Sequence, residues 1–479
     1  MALLLHYTGQ DYISRGLLNT ELTPGSTSAI VGGCKTGKGF AFANINVSDA
    51  YTSMTTVNDN QLSISAWIRT NTSSVAGQRF PIFSTLNNNQ NQILFEVYDV
   101  NRLRFGAFFD DNAIVHCNST DNTILPNTWY FVTAQLNKVT RNMQVYINGV
   151  LINSTTYSNK PLQTTDRFFI GRRLDSTNSF RGHICNLKVY NHVLSQKEIA
   201  EDYKSLMLHY KLDKPITTQV FDHSGFNRHI SVIENTTTNS TTEKRVYGGS
   251  LANDGTKSLY GSLNLSELNG INEISVAVRF RFISQAGNHC YFSSRTTVGS
   301  GVSSGLALFK IGGSSREFLI DIAGRETFTL PYDLVTGTWY DLVAVKSPTA
   351  VKLYINGILI NSVYNTNSIS NIGQLYASIS RSITDDFLEL FNTINGNVQD
   401  IRFYAKALTQ EDVTELYQTR HMVDKSSNCY SYELIEGQSE VGMNKQGQLL
   451  CDEVIEGDDG VFKIVKSNKT IVTKEIKEI

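Results

Sequence analysis

Two carboxylates on one strand could cleave a glycosidic bond, because same-face spacing sets an acid and a nucleophile beside each other. Glu317 and Asp321, in Glu-Phe-Leu-Ile-Asp, have that spacing. They stand alone, with no equivalent in the first half of the chain, and read as solvent-facing carboxylates flanking a buried strand. Glu96 and Asp99, in Phe-Glu-Val-Tyr-Asp, fall on opposite faces. His6 and His209 each stand before a Tyr in Leu-His-Tyr. A repeated His invites a metal or catalytic role, but a whole domain separates the two, and packed, hydrogen-bonded histidines are expected. Gly32 to Gly39 comes close to a phosphate loop, yet Gly39 follows Lys38 where Ser or Thr belongs, and no strand-helix unit surrounds it. It reads as a Gly-rich hairpin loop. The six Cys are scattered without metal-ligand spacing and are expected to be buried free thiols. For sugar contact, the candidates are the amide run Asn87-Asn88-Asn89-Gln90-Asn91 and Arg172-Arg173-Leu174-Asp175. The amide run reads first as a solvated loop tip. No residue is assigned a catalytic role, and a non-enzymatic protein is expected.

The elements that would position these residues are strands. The chain has 479 residues, with Tyr 22, Phe 24 and only 7 Pro. That balance, with abundant Asn, Thr, Ser and Ile, favours antiparallel β structure in several domains. A net charge of −2 leaves no nucleic-acid footprint. No apolar run reaches the length of a membrane span. Met1 to Tyr7 lacks the basic n-region of a secretory signal.

One stretch occurs twice. Thr128-Trp129-Tyr130 leads to Tyr146-Ile147-Asn148-Gly149-Val150-Leu151-Ile152-Asn153-Ser154, and Thr338-Trp339-Tyr340 leads to Tyr354-Ile355-Asn356-Gly357-Ile358-Leu359-Ile360-Asn361-Ser362. Asn-Gly suits a two-residue hairpin, in which both turn residues take positive φ. The Trp-Tyr pair is expected to bury a large aromatic in each core. The repeat is wider than this. Ile64 to Arg69 is echoed by Ile274 to Arg279, and Gly182 to Tyr190 by Gly396 to Tyr404. A short helix closes each copy. Ser195-Gln196-Lys197-Glu198 is a capping box followed by an apolar stripe of Ile199, Tyr203 and Leu206. Thr409-Gln410-Glu411-Asp412 is its counterpart, with a shorter acid expected to weaken the reach-back bond.

These repeats set domains at 1–206 and 207–420, joined without a flexible linker, so a stiff tandem is expected. Asn235 to Thr242 reads as an exposed polar loop. Residues 421–479 repeat nothing earlier and carry alternating Val/Ile runs at Tyr430–Ile435, Leu449–Ile455, Gly460–Val465 and Thr470–Ile476. They read as a small β module, too short for a large core and expected to lean on another surface, as an anchoring or oligomerisation element.

The Trp-Tyr strand, the Tyr-Ile-Asn-Gly hairpin, the Gly-x-Ile/Val-x-Asn/Asp strand and the capped closing helix, in the same order twice, resemble the laminin-G-like, concanavalin A-like jelly-roll family. The resemblance implies an all-β fold: two tandem antiparallel β-sandwiches plus the small C-terminal β module. Relatives of this fold bind sugars, proteins or lipids, serve as spacers, or in some cases are glycosidases, so the fold does not name the function. The resemblance also implies a structural calcium near an early Asp-x-Ser-Gly turn and a late strand acid. The matching residues are Asp222 and Asp400 in the second domain. The first domain has only Gly9-Gln10-Asp11 and Asn186 at those places. No other cofactor is implied.

The expectation drawn from this is a structural or binding protein on the exterior of a virus particle, a phage or large-virus decoration, fibre or tail protein. It would be made in the host cytoplasm and would contact other virion proteins or glycans. The rival is a carbohydrate-binding lectin or adhesin at the cell surface.

Overall fold

The computed structural model describes residues 3–425 apart from 19, 25–28, 43–60, 88–89, 110–113, 159–166, 174–178, 213–214, 241–249, 255–258, 264, 287–288, 295–304, 312–313, 315, 371, 373–376 and 380–393; beyond 425 it describes five short strands. Residues 3–190 build two sheets. The larger runs in the order Val150–Thr156, Asn142–Ile147, Tyr130–Asn137, Gln61–Thr70, Gly182–Tyr190, Gly37–Phe42, Ala29–Cys34, with Leu3–Tyr7 also paired to Gly182–Tyr190. The smaller contains Arg167–Ile170, Arg79–Asn87, Gln90–Tyr98, Arg102–Phe108 and Ile114–Asn118. Between them lies a core in which Phe40, Phe83, Phe95, Phe105 and Ile64 are fully buried. Each such side chain contributes about 2 kcal/mol of transfer free energy.

The second sandwich repeats the larger sheet strand for strand: Ile358–Tyr364, Ala350–Ile355, Trp339–Ser347, Ile274–Phe282, Asn395–Tyr404, Ser250–Asp254, with Leu206–Tyr210 on Asn395–Tyr404. Every described pairing within these sheets is antiparallel. All-β sandwiches in tandem are what the alternation and the repeats imply. One reading changes: Thr238–Ser240, inside the stretch read as an exposed loop, is a strand paired to Ser250–Asp254. β-branched Thr tolerates an edge ladder better than its polarity suggests.

The hairpins explain why their sequence recurs. Asn148 and Gly149 take φ of 51° and 80°, and Asn356 and Gly357 take 50° and 79°. The Asn also reaches sideways. Its Oδ1 accepts from Phe131 N at 2.9 Å in the first copy and from Asp341 N at 2.9 Å in the second. The turn thus clamps the strand that follows the Trp-Tyr pair. The pair itself differs between copies. Trp339 and Tyr340 are buried, whereas Trp129 and Tyr130 are only half-buried. In the first copy Trp67 takes the buried aromatic role instead, against Phe131 and Tyr203.

Helices α1 (Gln196–Lys204) and α2 (Gln410–Lys425) lie outside the larger sheets. Ile199 packs with Trp67, Phe131 and Tyr146; Val413 and Leu416 pack with Tyr354, Val343 and Val345. Both capping boxes close. Ser195 N donates to Glu198 at 2.7 Å, and Thr409 N donates to Asp412 at 2.9 Å, so the shorter acid still reaches back. Leu206, placed by its spacing in the α1 stripe, instead opens the next strand. The helix stops at Ser205, whose left-handed φ of 52° turns the chain.

The described strands beyond 425 are Glu433–Leu434, Gly442–Met443, Leu449–Leu450, Glu453–Glu456 and Phe462–Val465. Four of them fall within or beside three of the four Val/Ile runs, and Gly442–Met443 lies between the first two; Thr470–Ile476 lies outside the described residues.

Candidate functional site

The repeated histidines lie where the central strand of each larger sheet changes neighbour. Gly182–Tyr190 pairs with Gly37–Phe42 up to Ile184 and with Leu3–Tyr7 from Leu187. Between these stands Asn186, a bulge residue at φ 49°. His6 Nε2 bonds its Oδ1 at 2.8 Å. In the second sandwich Asp400, at φ 54°, occupies the same bulge, and His209 Nε2 bonds its Oδ1 at 2.8 Å. Asn and Asp are the residues that tolerate this conformation. Burial and the neighbouring Lys188 lower the His6 pKa to about 3, so its ring is neutral. These are packed structural histidines, as their separation by a domain implies.

The structure therefore brings Asp222 and Asp400 to one residue, His209, which spans them. Asp222 Oδ1 accepts from His209 N and Ser224 N, both at 2.9 Å. Its Oδ2 accepts from Ser224 Oγ at 2.8 Å and Arg228 N at 3.0 Å. Asp400 Oδ1 also takes the Arg402 guanidinium at 2.8 Å. Calcium needs several charged or carbonyl oxygens turned toward one point. Here protein donors hold both oxygens of Asp222, and His209 and Arg402 hold Oδ1 of Asp400, while Oδ2 of Asp400 is buried outside these bonds. Among the described residues no three His, Cys, Asp or Glu side chains come together as metal ligands.

The strand carboxylates are likewise engaged. Asp321 is fully buried rather than solvent-facing, and Arg325 grips both its oxygens at 2.9 and 3.0 Å. Glu317 is half-buried at the far end of the same strand. Glu96 is buried against Arg104, with Nε at 2.8 Å. Gly32 to Gly39 is a hairpin, with Ala29–Cys34 returning as Gly37–Phe42. Cys34, Cys117, Cys185 and Cys290 are free and buried; Cys429 and Cys451 lie outside the described residues. Burial raises the Cys185 thiol to about 11. Of the sugar-contact candidates, Asn88, Asn89, Leu174 and Asp175 lie outside the described residues.

What sequence reasoning missed is a cleft of about 230 Å³ between the two sandwiches. Gln10, Asp11, Arg15 and Lys38 form its wall on the first, and Phe226, Asn227, Arg228, Leu263, Ser266 and Glu267 on the second. Glycines set the walls. A methyl group on Gly9 (φ 88°) would stand 2.7 Å from the Gly39 Cα and 2.8 Å from the Lys38 carbonyl oxygen, so the Gly9-Gln10 turn lies directly on the Lys38-Gly39 strand. Gly37 (φ 99°) gives the same closeness across the junction, where a methyl group would meet Arg228 and Glu267 at 2.6 Å. Arg228 is buried. It donates to Thr36 O at 2.7 Å and Met207 O at 2.9 Å, and pairs with Glu267 at 3.3 Å. Phe226 meets the His6 ring edge-on at 5.9 Å. Arg15 is held by Asp11. Lys38 and the buried Gln10 Nε2 have no hydrogen-bond partner among the described residues. The Gly-rich loop and the Asp-x-Ser-Gly turn were each visible in sequence, but nothing there joins stretches almost two hundred residues apart.

Among solved structures the chain is similar to domain 4 of AbnA, a GH43 extracellular arabinanase from Geobacillus stearothermophilus, in complex with arabinotriose. That match has 17% identity over 45% of this chain and 98% of that one, with a TM-score of 0.32. It is similar to domains LG4-5 of the mouse laminin alpha1 chain, at 15% identity, 85% and 93% coverage and a TM-score of 0.24. It is similar also to the binding domain of botulinum neurotoxin serotype D, at 13% identity, 80% and 98% coverage and a TM-score of 0.35. No curated protein matches it. The laminin-G profile of the concanavalin A-like lectin/glucanases superfamily matches residues 44–200 and again 254–414. With both repeats matched, and with the sandwiches and capped helices described above, the chain belongs to that superfamily, as a tandem of laminin-G-like domains.

Proposed function

We propose that this chain is a non-catalytic binding and structural protein, an exterior component of a virus particle that contacts other proteins or glycans through its laminin-G-like domains. The observation that carries the reading is the tandem itself. Two copies of one scaffold are held together by buried polar contacts at their junction, above all Arg228 to Thr36 O and Lys204 to Glu415 at 2.8 Å. That suits a rigid presenting or spacing unit. Of the acids that could have done glycosidase chemistry, Glu96 and Asp321 are held in ion pairs instead. The virion placement is supported by a composition rich in Asn, Ile, Lys and Tyr. Residues 421–479 are its proposed anchor or oligomerisation element.

A lectin or adhesin is the second reading, and the polar cleft at the junction favours it. One pair of measurements separates the two. A virion subunit predicts a defined oligomer in solution, with at most weak glycan affinity on an array; a lectin predicts micromolar-to-millimolar glycan binding by the monomer. Turnover of a polysaccharide by the full chain would overturn both.

A further inference from the structure

We infer that the cleft between the sandwiches binds the anionic group, a carboxylate or sulfate, of an acidic saccharide, with Lys38 and Gln10 as its donors. This rests on the glycan-binding arm of the function proposed above and names its ligand class.

The charges in the cleft decide the class. Arg15, Lys38 and Arg228 face Asp11 and Glu267. Asp11 is bound by Arg15, and Glu267 by Arg228. Each carboxylate therefore already has a guanidinium, and the ammonium of Lys38, which also acts on Asp11 electrostatically, leaves these cleft groups with a net positive charge. Gln10 Nε2, out of contact with solvent, adds an amide donor with no acceptor. A buried donor without a partner costs about 1–3 kcal/mol, which an incoming oxygen acceptor recovers. Two unmet donors on one wall select a ligand rich in acceptors and negative in charge. The wall is built rather than accidental. Only glycine at 9 lets the Gln10 turn rest on the Lys38 strand, and this close contact holds the two donors on adjacent backbone. The cleft is smaller than the roughly 300–1,000 Å³ of most small-molecule pockets. It fits one sugar unit with the rest of the chain projecting outward.

The test is calorimetric titration of the full chain with four probes: a sulfated hexasaccharide, an oligogalacturonate, a neutral cellohexaose and inorganic sulfate. The expected result is that at least one acidic oligosaccharide binds, more weakly as salt rises, and at least about tenfold more tightly than the neutral one. Lys38→Gln then weakens binding about tenfold, Gln10→Leu weakens it severalfold, and Lys38→Arg retains most of it. The sulfate and uronate arms say which anion is preferred. Acidic binding that is indifferent to Lys38→Gln and Gln10→Leu in a folded protein puts the site elsewhere. That overturns the inference while leaving the binding function intact, as does equal affinity for the neutral probe. Inorganic sulfate binding as tightly as the oligosaccharides reduces the site to a bare anion pocket and overturns the saccharide assignment. If none of the saccharides binds, the glycan arm of the proposed function falls together with this inference.

Discussion

His6 and His209 hold the same place in two sandwiches, and their partners differ by one atom type: an amide at Asn186, a carboxylate at Asp400. The neutral His6 has a consequence for acid stability. Its folded pKa, about 3, lies below the ordinary value of 6.5, so in acid the unfolded chain takes the proton first. Its stabilising contribution is complete above pH 6.5 and is lost as pH falls toward 3. Half-buried His116 and buried His289, lowered to about 4, act in the same direction. Urea unfolding of the protein and of His6→Gln between pH 7 and 4 should show the gap between the two narrowing as the pH falls. A gap independent of pH would mean that the His6 ring takes up its proton as readily in the fold as in the unfolded chain. At Asp222 and Asp400 protein donors on three of the four carboxylate oxygens predict that adding calcium, or chelating it, leaves the melting temperature unchanged. A rise of several degrees with calcium would show the donors giving way to the ion.

At the scale of the element, the Asn-Gly hairpin joins three things: the turn, the strand after the Trp-Tyr pair, and the closing helix. Gln196 and Gln410 each donate to the turn glycine's carbonyl, at 2.6 and 2.7 Å. A methyl group on Gly149 would lie 3.4 Å from the Tyr203 ring, and one on Gly357 would lie 3.2 Å from Tyr417 Cβ. Both positions have left-handed φ, so alanine is strained at either. Gly149→Ala should cost about 1 kcal/mol, and Gly357→Ala, which also crowds Tyr417, about 2 kcal/mol. Chemical denaturation gives both values, and a reversed order would place the α2 contact elsewhere. Asn356→Ala should cost about 2 kcal/mol, since it loses the residue suited to positive φ and leaves the Asp341 N–H without its side-chain acceptor.

For the whole molecule, the junction determines whether two sandwiches behave as one body. Lys204, at the end of α1, is buried and reaches Glu415 on α2, and Lys35 pairs with Glu273. Lys406 of the second sandwich lies over the Tyr203 ring of the first at 4.6 Å. Arg228→Ala removes a buried guanidinium and leaves two carbonyls and Glu267 without it. The expected cost is about 3 kcal/mol. Calorimetry should show one transition in the unaltered protein and two in the variant. Two transitions from the outset would mean that the sandwiches unfold independently despite these contacts.

Local patterns were enough to specify the all-β class, the two hairpin turns, both capping boxes and the tandem order. Each depends on residues only a few positions apart, where turn geometry, capping and strand periodicity act. The burial of Asp321 against Arg325, the bulge that matches His209 to Asp400, and the half-exposure of Trp129 depended on which strands lie side by side. Strand order brings together residues up to about two hundred positions apart, and alternation along one strand carries no information about that partner. The cleft is the extreme case. Gln10 and Lys38 look in sequence like ordinary turn and strand residues, and only the packing of one sandwich on the other, close at Gly37, makes them part of the wall of a cleft.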